Sequence, residues 1–218
     1  MGRMKLQRFA LNAQRRNVLE PGKEIYTNIN GKWGLFFENN HDIVLEIGCG
    51  RGEYTTGLAN LFPSKNFIGV DTKGSRLWKG SSVAIEEGLD NVAFLRAQCQ
   101  LLDFFFSPGE VSEIWITFPD PRHKDRDEHL RLTNLAFMKS YISLLKNEGT
   151  LHFKTDNRIL FDYTLEVLGH PDLTIRNLKY TNDLYNSDLK ANHFDIQTTF
   201  ERQYLDEGVA INYLVFNK

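Results

Sequence analysis

Cysteine is scarce in this chain. Cys49 and Cys99 are its two, and neither they nor His123, His129 and His193 stand at zinc-ligand spacing. The sequence therefore offers no disulfide framework and no metal centre, and its thiols suit a reducing cytoplasm. Long apolar runs are also missing. None approaches the ~20 residues of a membrane helix, and no apolar segment behind Met1-Gly2-Arg3-Met4-Lys5 reads as a signal peptide. No repeat or low-complexity stretch is present. Neither sign of charge dominates: 26 Lys and Arg stand against 28 Asp and Glu, for a net charge of −2, so the total does not announce a nucleic-acid binder.

What is present is an ordinary globular composition, 41% hydrophobic over 218 residues, enough for one domain with a complete core. The expected organisation is a single domain over residues 1–218, fronted by a basic and flexible arm at about 1–23. That arm carries Arg3, Lys5, Arg8, Arg15, Arg16 and Lys23 against one acid, Glu20. It reads either as a phosphate-neutralising segment or as a solvated terminus.

Strand and helix signals then alternate. Strands are expected at 42–47, 66–71, 92–97, 112–118 and 150–155. Helices are expected at 53–61, 75–88, 133–147 and 158–168, from 3.6-residue apolar spacing and from stop signals such as Gly88 and Gly149. Residues 173–180 and 209–216 read as two further strands with no long helix between them. The pattern predicts an α/β fold: a doubly wound, mostly parallel sheet closed by an antiparallel C-terminal pair. Ligands of such sheets bind at the carboxyl ends of the strands, at the switch point.

Glu46-Ile47-Gly48-Cys49-Gly50-Arg51-Gly52 sits at that place, after the first of these strands. Glycines there allow a sharp turn and close approach of a ligand. The spacing is G-x-G-x-G, and Glu53 occupies the last glycine position of the dinucleotide fingerprint, where it would face a pyrophosphate. Glu46, just before Gly48, favours a cationic ligand. Asp71 ends the next strand, suited to ribose hydroxyls. Gln98 follows the third, where its amide could meet an adenine. Asp120, between Pro119 and Pro121, follows the fourth in a restricted turn. The plainer readings are turn glycines, a capping Asp-Pro turn, N-caps at Asp156-Asn157, and a capping box at Thr198-x-x-Glu201. Trp33, Trp78 and Trp115 read as core or interface residues.

Taken in order, the Glu46–Gly52 loop, Phe118-Pro119-Asp120-Pro121, His123-Lys124, Arg131-Leu132-Thr133, Phe153-Lys154-Thr155-Asp156-Asn157 and Thr198-Thr199-Phe200-Glu201 resemble the motifs of the bacterial tRNA (guanine-N7)-methyltransferases. The resemblance runs from about residue 42 to about 202. It implies a Rossmann-like class I methyltransferase using S-adenosylmethionine, with the variable-loop guanine of tRNA as target and no metal. By position it implies Glu46, Gly48, Gly50, Asp71, Gln98 and Asp120 at the cofactor, with Asp120 catalytic. It implies Lys124, Asp156, Thr198, Phe200 and Glu201 at the tRNA. Relatives usually carry an acid where Gln98 stands, and a denser basic run where this chain has Arg122 followed by a mixture with Asp125, Asp127 and Glu128. Guanine N7 has a lone pair and no proton, so this methylation needs alignment and charge stabilisation rather than a general base. Methylation of another RNA base or a small molecule, nicotinamide redox chemistry, and tRNA binding without catalysis are the competing readings. Oligomeric state is not written in the sequence.

Overall fold

The computed structural model describes residues 2–218. The side chains of Arg3 and Lys5, two cations of the N-terminal segment, lie outside the described residues. In chain order the elements are α1 (Gly2–Gln14), β1 (Val18–Leu19), α2 (Glu24–Asn28), α3 (Trp33–Phe37), β2 (Asp42–Ile47), α4 (Glu53–Leu61), β3 (Lys65–Val70), α5 (Gly74–Glu86), β4 (Val92–Leu95), β5 (Val111–Thr117), α6 (Leu135–Leu144), β6 (Leu145–Thr155), α7 (Arg158–Leu168), β7 (Arg176–Thr181), α8 (Thr199–Asp206) and β8 (Asn212–Asn217). They build one eight-stranded sheet in the order β1-β4-β3-β2-β5-β6-β8-β7. Strands β1 to β6 pair in parallel, and β8 runs antiparallel to both β6 and β7. The expected α/β sheet with an antiparallel C-terminal pair is what forms, with the last strand of the chain inserted between the two before it.

Alternation along the strands assigns the layers. Ile43, Leu45 and Ile47 of β2 face one hydrophobic layer, with Met138 and Tyr141 of α6 and Phe161 of α7. Val44 faces the other, with Tyr54 and Leu58 of α4, Leu77 of α5 and Trp115 of β5. Glu46 has the same parity as Val44, so its carboxylate is directed at α4. The chain reverses direction across the sheet between β2 and β5, and the β2–α4 loop opens there.

The N-terminal segment is a helix docked on α5. Arg15 donates to the Trp78 carbonyl at 2.9 Å, and the Arg8 guanidinium lies 4.7 Å from the Trp78 ring centroid. Lys23 closes the carboxyl end of α1, donating to the Asn12 and Arg15 carbonyls at 2.8 and 2.6 Å. Arg16 donates to the Phe36 carbonyl at 2.7 Å and to Glu38 at 2.6 Å. Positive charge that reads from sequence as a free basic surface is largely engaged within the fold.

One close approach sets the height of the glycine loop above the sheet. Gly52 caps α4 with φ +72°, and a Cβ there would lie 2.5 Å from Phe94 Cε1. Left-handed backbone costs an L-residue ~1–2 kcal/mol and overpacking a core ~1–3 kcal/mol. Gly52→Ala is therefore expected to lower the unfolding free energy by about 3 kcal/mol, read as a reduced urea midpoint with an unchanged slope; a midpoint equal to wild type contradicts the packing described.

Candidate active site

The carboxyl ends of the parallel strands meet in a cleft of about 260 Å³, lined by Glu46, Gly48, Gly50, Thr117, Thr198 and Phe200 among others. The glycine loop is held from below. The amides of Gly48 and Cys49 donate to the Val70 carbonyl at 2.8 and 3.0 Å, so the chain leaves β2 and turns over the end of β3. Gly48 and Gly50 have φ of +72° and +56°, and a Cβ on Gly50 would project into open space.

Glu46 is buried beneath this loop. One carboxylate oxygen accepts from the Thr55 amide at 2.8 Å and from the Thr55 hydroxyl; the other accepts from the Thr117 hydroxyl at 3.0 Å. Burial pushes its pKa up to about 7, against the pull of these hydrogen bonds. The desolvation cost exceeds what two threonines return.

Asp71 is buried beyond β3. Its carboxylate accepts from the Gly50 amide at 3.1 Å and the Lys73 amide at 2.7 Å, fixing the loop and the start of α5 together. Gln98 is exposed beyond β4. After β5 the chain turns at Phe118, φ +49°, whose amide donates to the Lys154 carbonyl at 2.9 Å. Asp120 stands exposed on this turn, 3.3 Å from Arg122 Nε and accepting from the Arg122 amide at 3.3 Å. Lys124 is exposed at the start of a short 3-10 segment, Asp125–Leu130.

The far wall comes from α8. Thr198 and Glu201 form the expected capping box, and Phe200, 60% exposed, projects at the cleft. Glu201 itself is buried. Its carboxylate lies 2.6 Å from Lys154 Nζ, with both side chains at 0% exposure, and accepts from the Tyr185 hydroxyl at 3.1 Å. The Lys154 contact is a close ion pair rather than an aligned hydrogen bond, since the ammonium has no well-directed acceptor. Burial pulls the Lys154 pKa down and Glu201 draws it back up. Glu53, at the start of α4, accepts from the Thr199 amide at 2.9 Å and from its hydroxyl. Tyr204 stacks on Phe118, with centroids 6.0 Å apart, and lies near Asp156, whose half-buried carboxyl is raised chiefly by desolvation. At the start of α7 the cap is Asn157, which accepts from the Leu160 amide at 2.8 Å, and not Asp156.

Of the residues singled out in the sequence, Glu46, Gly48, Gly50, Thr198 and Phe200 share the cleft. Asp71 supports the loop from behind. Asp120, Gln98 and Lys124 stand exposed outside the cleft lining. Sequence reasoning missed Thr55 and Thr117, which hold Glu46, and Lys154, which holds Glu201. It also missed Arg51 and Arg76, which line the cleft. Thr117 was the one with a local signal, a hydroxyl at a strand end directly before Phe118-Pro119-Asp120. Among the described residues no group of His, Cys, Asp and Glu could hold a metal, and no helix is long and apolar enough to cross a membrane.

Removing one member of a buried ion pair strands the other, at ~3–5 kcal/mol. Lys154→Met and Glu201→Gln are each expected to lower the unfolding free energy by about that amount in urea melts. The Lys154→Met/Glu201→Leu double variant should recover part of the loss. Single variants within about 1 kcal/mol of wild type would show the pair to be solvated instead.

The comparisons with known proteins agree with this geometry. The methyltransferase family model Methyltransf_4 matches residues 40–214. The tRNA (guanine-N(7)-)-methyltransferase of Cytophaga hutchinsonii is 55% identical over 99% of this chain and 98% of its own. That of Christiangramia forsetii is 46% identical over 97% and 96%. That of Lactococcus lactis is 35% identical over 84% and 83%. Among solved structures, an antibiotic-related methyltransferase superposes with a TM-score of 0.63, at 17% identity over 86% of this chain and 92% of the other. The 16S rRNA methyltransferase KamB does so at 0.62, with 16% identity over 86% and 92%; these two carry the fold alone. On this identity and coverage, the chain belongs to the bacterial tRNA (guanine-N7)-methyltransferase family.

Proposed function

We propose that this chain is an S-adenosylmethionine-dependent enzyme that methylates N7 of the variable-loop guanine of tRNA, with residues 1–218 working as one domain. A cytoplasmic location follows from the substrate. The observation that carries the reading is the buried Glu46 under an open glycine loop at the switch point of a methyltransferase sheet. A carboxyl held near neutrality by burial is stabilised as an anion by an adjacent cation. The space beside Gly50, which a side chain would fill, leaves room for one. A sulfonium donor carrying an ammonium group fits that donor set.

When bound, S-adenosylmethionine supplies a methyl group on a cationic sulfur. The chain's own residues account for the rest. Asp71 secures the loop and the first turn of α5 through the Gly50 and Lys73 amides, leaving lone pairs for ribose hydroxyls; Gln98 is available for an adenine edge. Transfer of that methyl to the N7 lone pair would leave the purine positively charged, a charge that the residues around it would have to stabilise. Asp120, on a turn fixed by Phe118 and two prolines, is the catalytic carboxylate that orients the guanine and stabilises that charge. Lys124, Asp156, Thr198 and Phe200 meet the tRNA. Glu201 acts from inside, through Lys154, by keeping the first turn of α8 in place.

Methyl transfer to tRNA transcripts, followed by nucleoside mapping, tests the reaction: 7-methylguanosine is expected from guanine-containing tRNA and none from 7-deazaguanine transcripts. Loss of a charge placed at the transition state costs ~3 kcal/mol, so Asp120→Ala should lower kcat/KM roughly a hundredfold; activity within a few-fold of wild type removes Asp120 from the chemistry.

The Glu46 pKa adds a linkage test. Its ordinary value of 4.5 is raised to about 7, so near neutrality the carboxyl holds its proton part of the time. A cation alongside favours the ionised form and expels that proton. S-adenosylmethionine affinity is therefore expected to rise with pH up to about 7 and level off above it. Calorimetry near pH 6.5 in buffers of different ionisation enthalpy should show fractional proton release, absent in Glu46→Gln; buffer-independent heats in wild type count against the pairing.

A further inference from the structure

Among the described residues, the arginines that the sequence makes most visible already have partners within the fold, while Lys124 in the loop after Pro121 stays exposed. In the N-terminal segment, Arg8 and Arg15 are engaged with Trp78, Arg16 with Glu38, and Lys23 with the end of α1. In the loop after Pro121, Arg122 stands 3.3 Å from Asp120 and Arg126 3.9 Å from Asp127. Arg51 and Arg76 differ. Both are exposed and both line the cleft beside Glu46 and Phe200, and among the described residues neither side chain has an ion-pair or hydrogen-bond partner. They come from separate elements, Arg51 from the glycine loop between Gly50 and Gly52, and Arg76 from the first turn of α5.

We infer that Arg51 and Arg76 form a two-point phosphate clamp at the cleft, holding the RNA backbone on either side of the nucleotide presented to it. Guanidinium groups bind phosphate bidentately, and contacts of this kind fix register without reading sequence. A carboxylate of the cofactor is the other anion within the same chemistry. A single carboxylate matches one guanidinium, however, whereas two on different elements suit a chain of phosphates. The inference rests on the tRNA reading above and adds which surface carries the RNA: the rim of the cleft, in place of the N-terminal segment.

Anisotropy of a fluorescent tRNA transcript, titrated at several KCl concentrations, reads the clamp directly. Each phosphate contact contributes ~0.7–0.9 to the slope of log Kd against log salt. Arg51→Gln and Arg76→Gln should each reduce the slope by about that amount, and the double variant by roughly twice as much. S-adenosylmethionine affinity, measured by calorimetry, should stay at the wild-type value. Arg16→Gln, which breaks a surface ion pair in the N-terminal segment, should leave the slope unchanged. A wild-type slope in the double variant overturns the clamp. So does a wild-type slope accompanied by lost cofactor affinity, which assigns the arginines to the cofactor's carboxylate. The reduced slope together with no 7-methylguanosine from wild type would keep the clamp and remove the methylation reading.

Discussion

Everything at the cleft depends on a carboxylate that the fold keeps away from water. Glu46 is at the end of the central strand β2, on the parity that faces α4, and its hydrogen bonds reach α4 through Thr55 and β5 through Thr117. Those bonds cross the point where the sheet's winding reverses, so the charge and the switch point are one feature. Desolvation still prevails, which is why the group sits near pKa 7. A buried acid in that state, already hydrogen-bonded by two threonines, is stabilised further by an adjacent cation. The glycines above it keep the path open: with side chains at Gly48 and Gly50 the backbone would be strained at positive φ and the space narrowed.

The second wall of the cleft is built from the far end of the chain, and its attachment is unusually polar. The first turn of α8 is held by Lys154–Glu201 from β6 and by Glu53–Thr199 from α4, and Tyr204 in the next turn packs against the turn after β5. An apolar contact surface could have docked this helix at lower desolvation cost, since buried ion pairs seldom beat hydrophobic packing in stability. What directional pairs supply is placement. Thr198, Thr199 and Phe200 are fixed relative to Glu46 and Gly50 by partners with defined geometry, which is what a site needs when its task is to align two reactants.

Periodicity and local chemistry made much of this legible in advance. The expected helix 158–168 is α7 residue for residue, because Asn157 caps it and its apolar spacing is unbroken. The helix expected over 133–147 is shorter, Leu135–Leu144, because Leu145 begins β6 and an apolar residue at that boundary fits either state. Val18–Leu19 is too short to register as a strand, yet it extends the sheet beyond β4. The charge-rich N-terminal segment misled in an instructive way: a count of cations cannot show that Arg15 and Lys23 serve carbonyl groups of the fold. Glu53 is a similar case. Its position argues from sequence against a pyrophosphate, and in the structure it meets the amide of Thr199, 146 residues away. Lys154–Glu201, 47 residues apart, belongs with it, since pairs at such separation leave no local pattern.

Apart from the self-neutralising Lys154–Glu201 pair, the cleft shows a separation of sign by depth that the net charge of −2 conceals. Acids lie inside, at Glu46 and Asp71; unpaired arginines lie at the cleft's exposed margin. Depth decides how each interacts. Exposed guanidinium groups act through water and salt, over a Debye length of ~8 Å at physiological ionic strength, a range suited to collecting a large polyanion. Glu46 acts in a medium of low polarity, where interactions are strong, short in range and little screened. A single cleft can thus accept a cationic small molecule and a polyanionic macromolecule without either charge set cancelling the other. Under the proposed function the same arrangement accounts for the transferred positive charge, which would pass from the neighbourhood of Glu46 toward a second carboxylate, Asp120, on a turn anchored to the neighbouring strand.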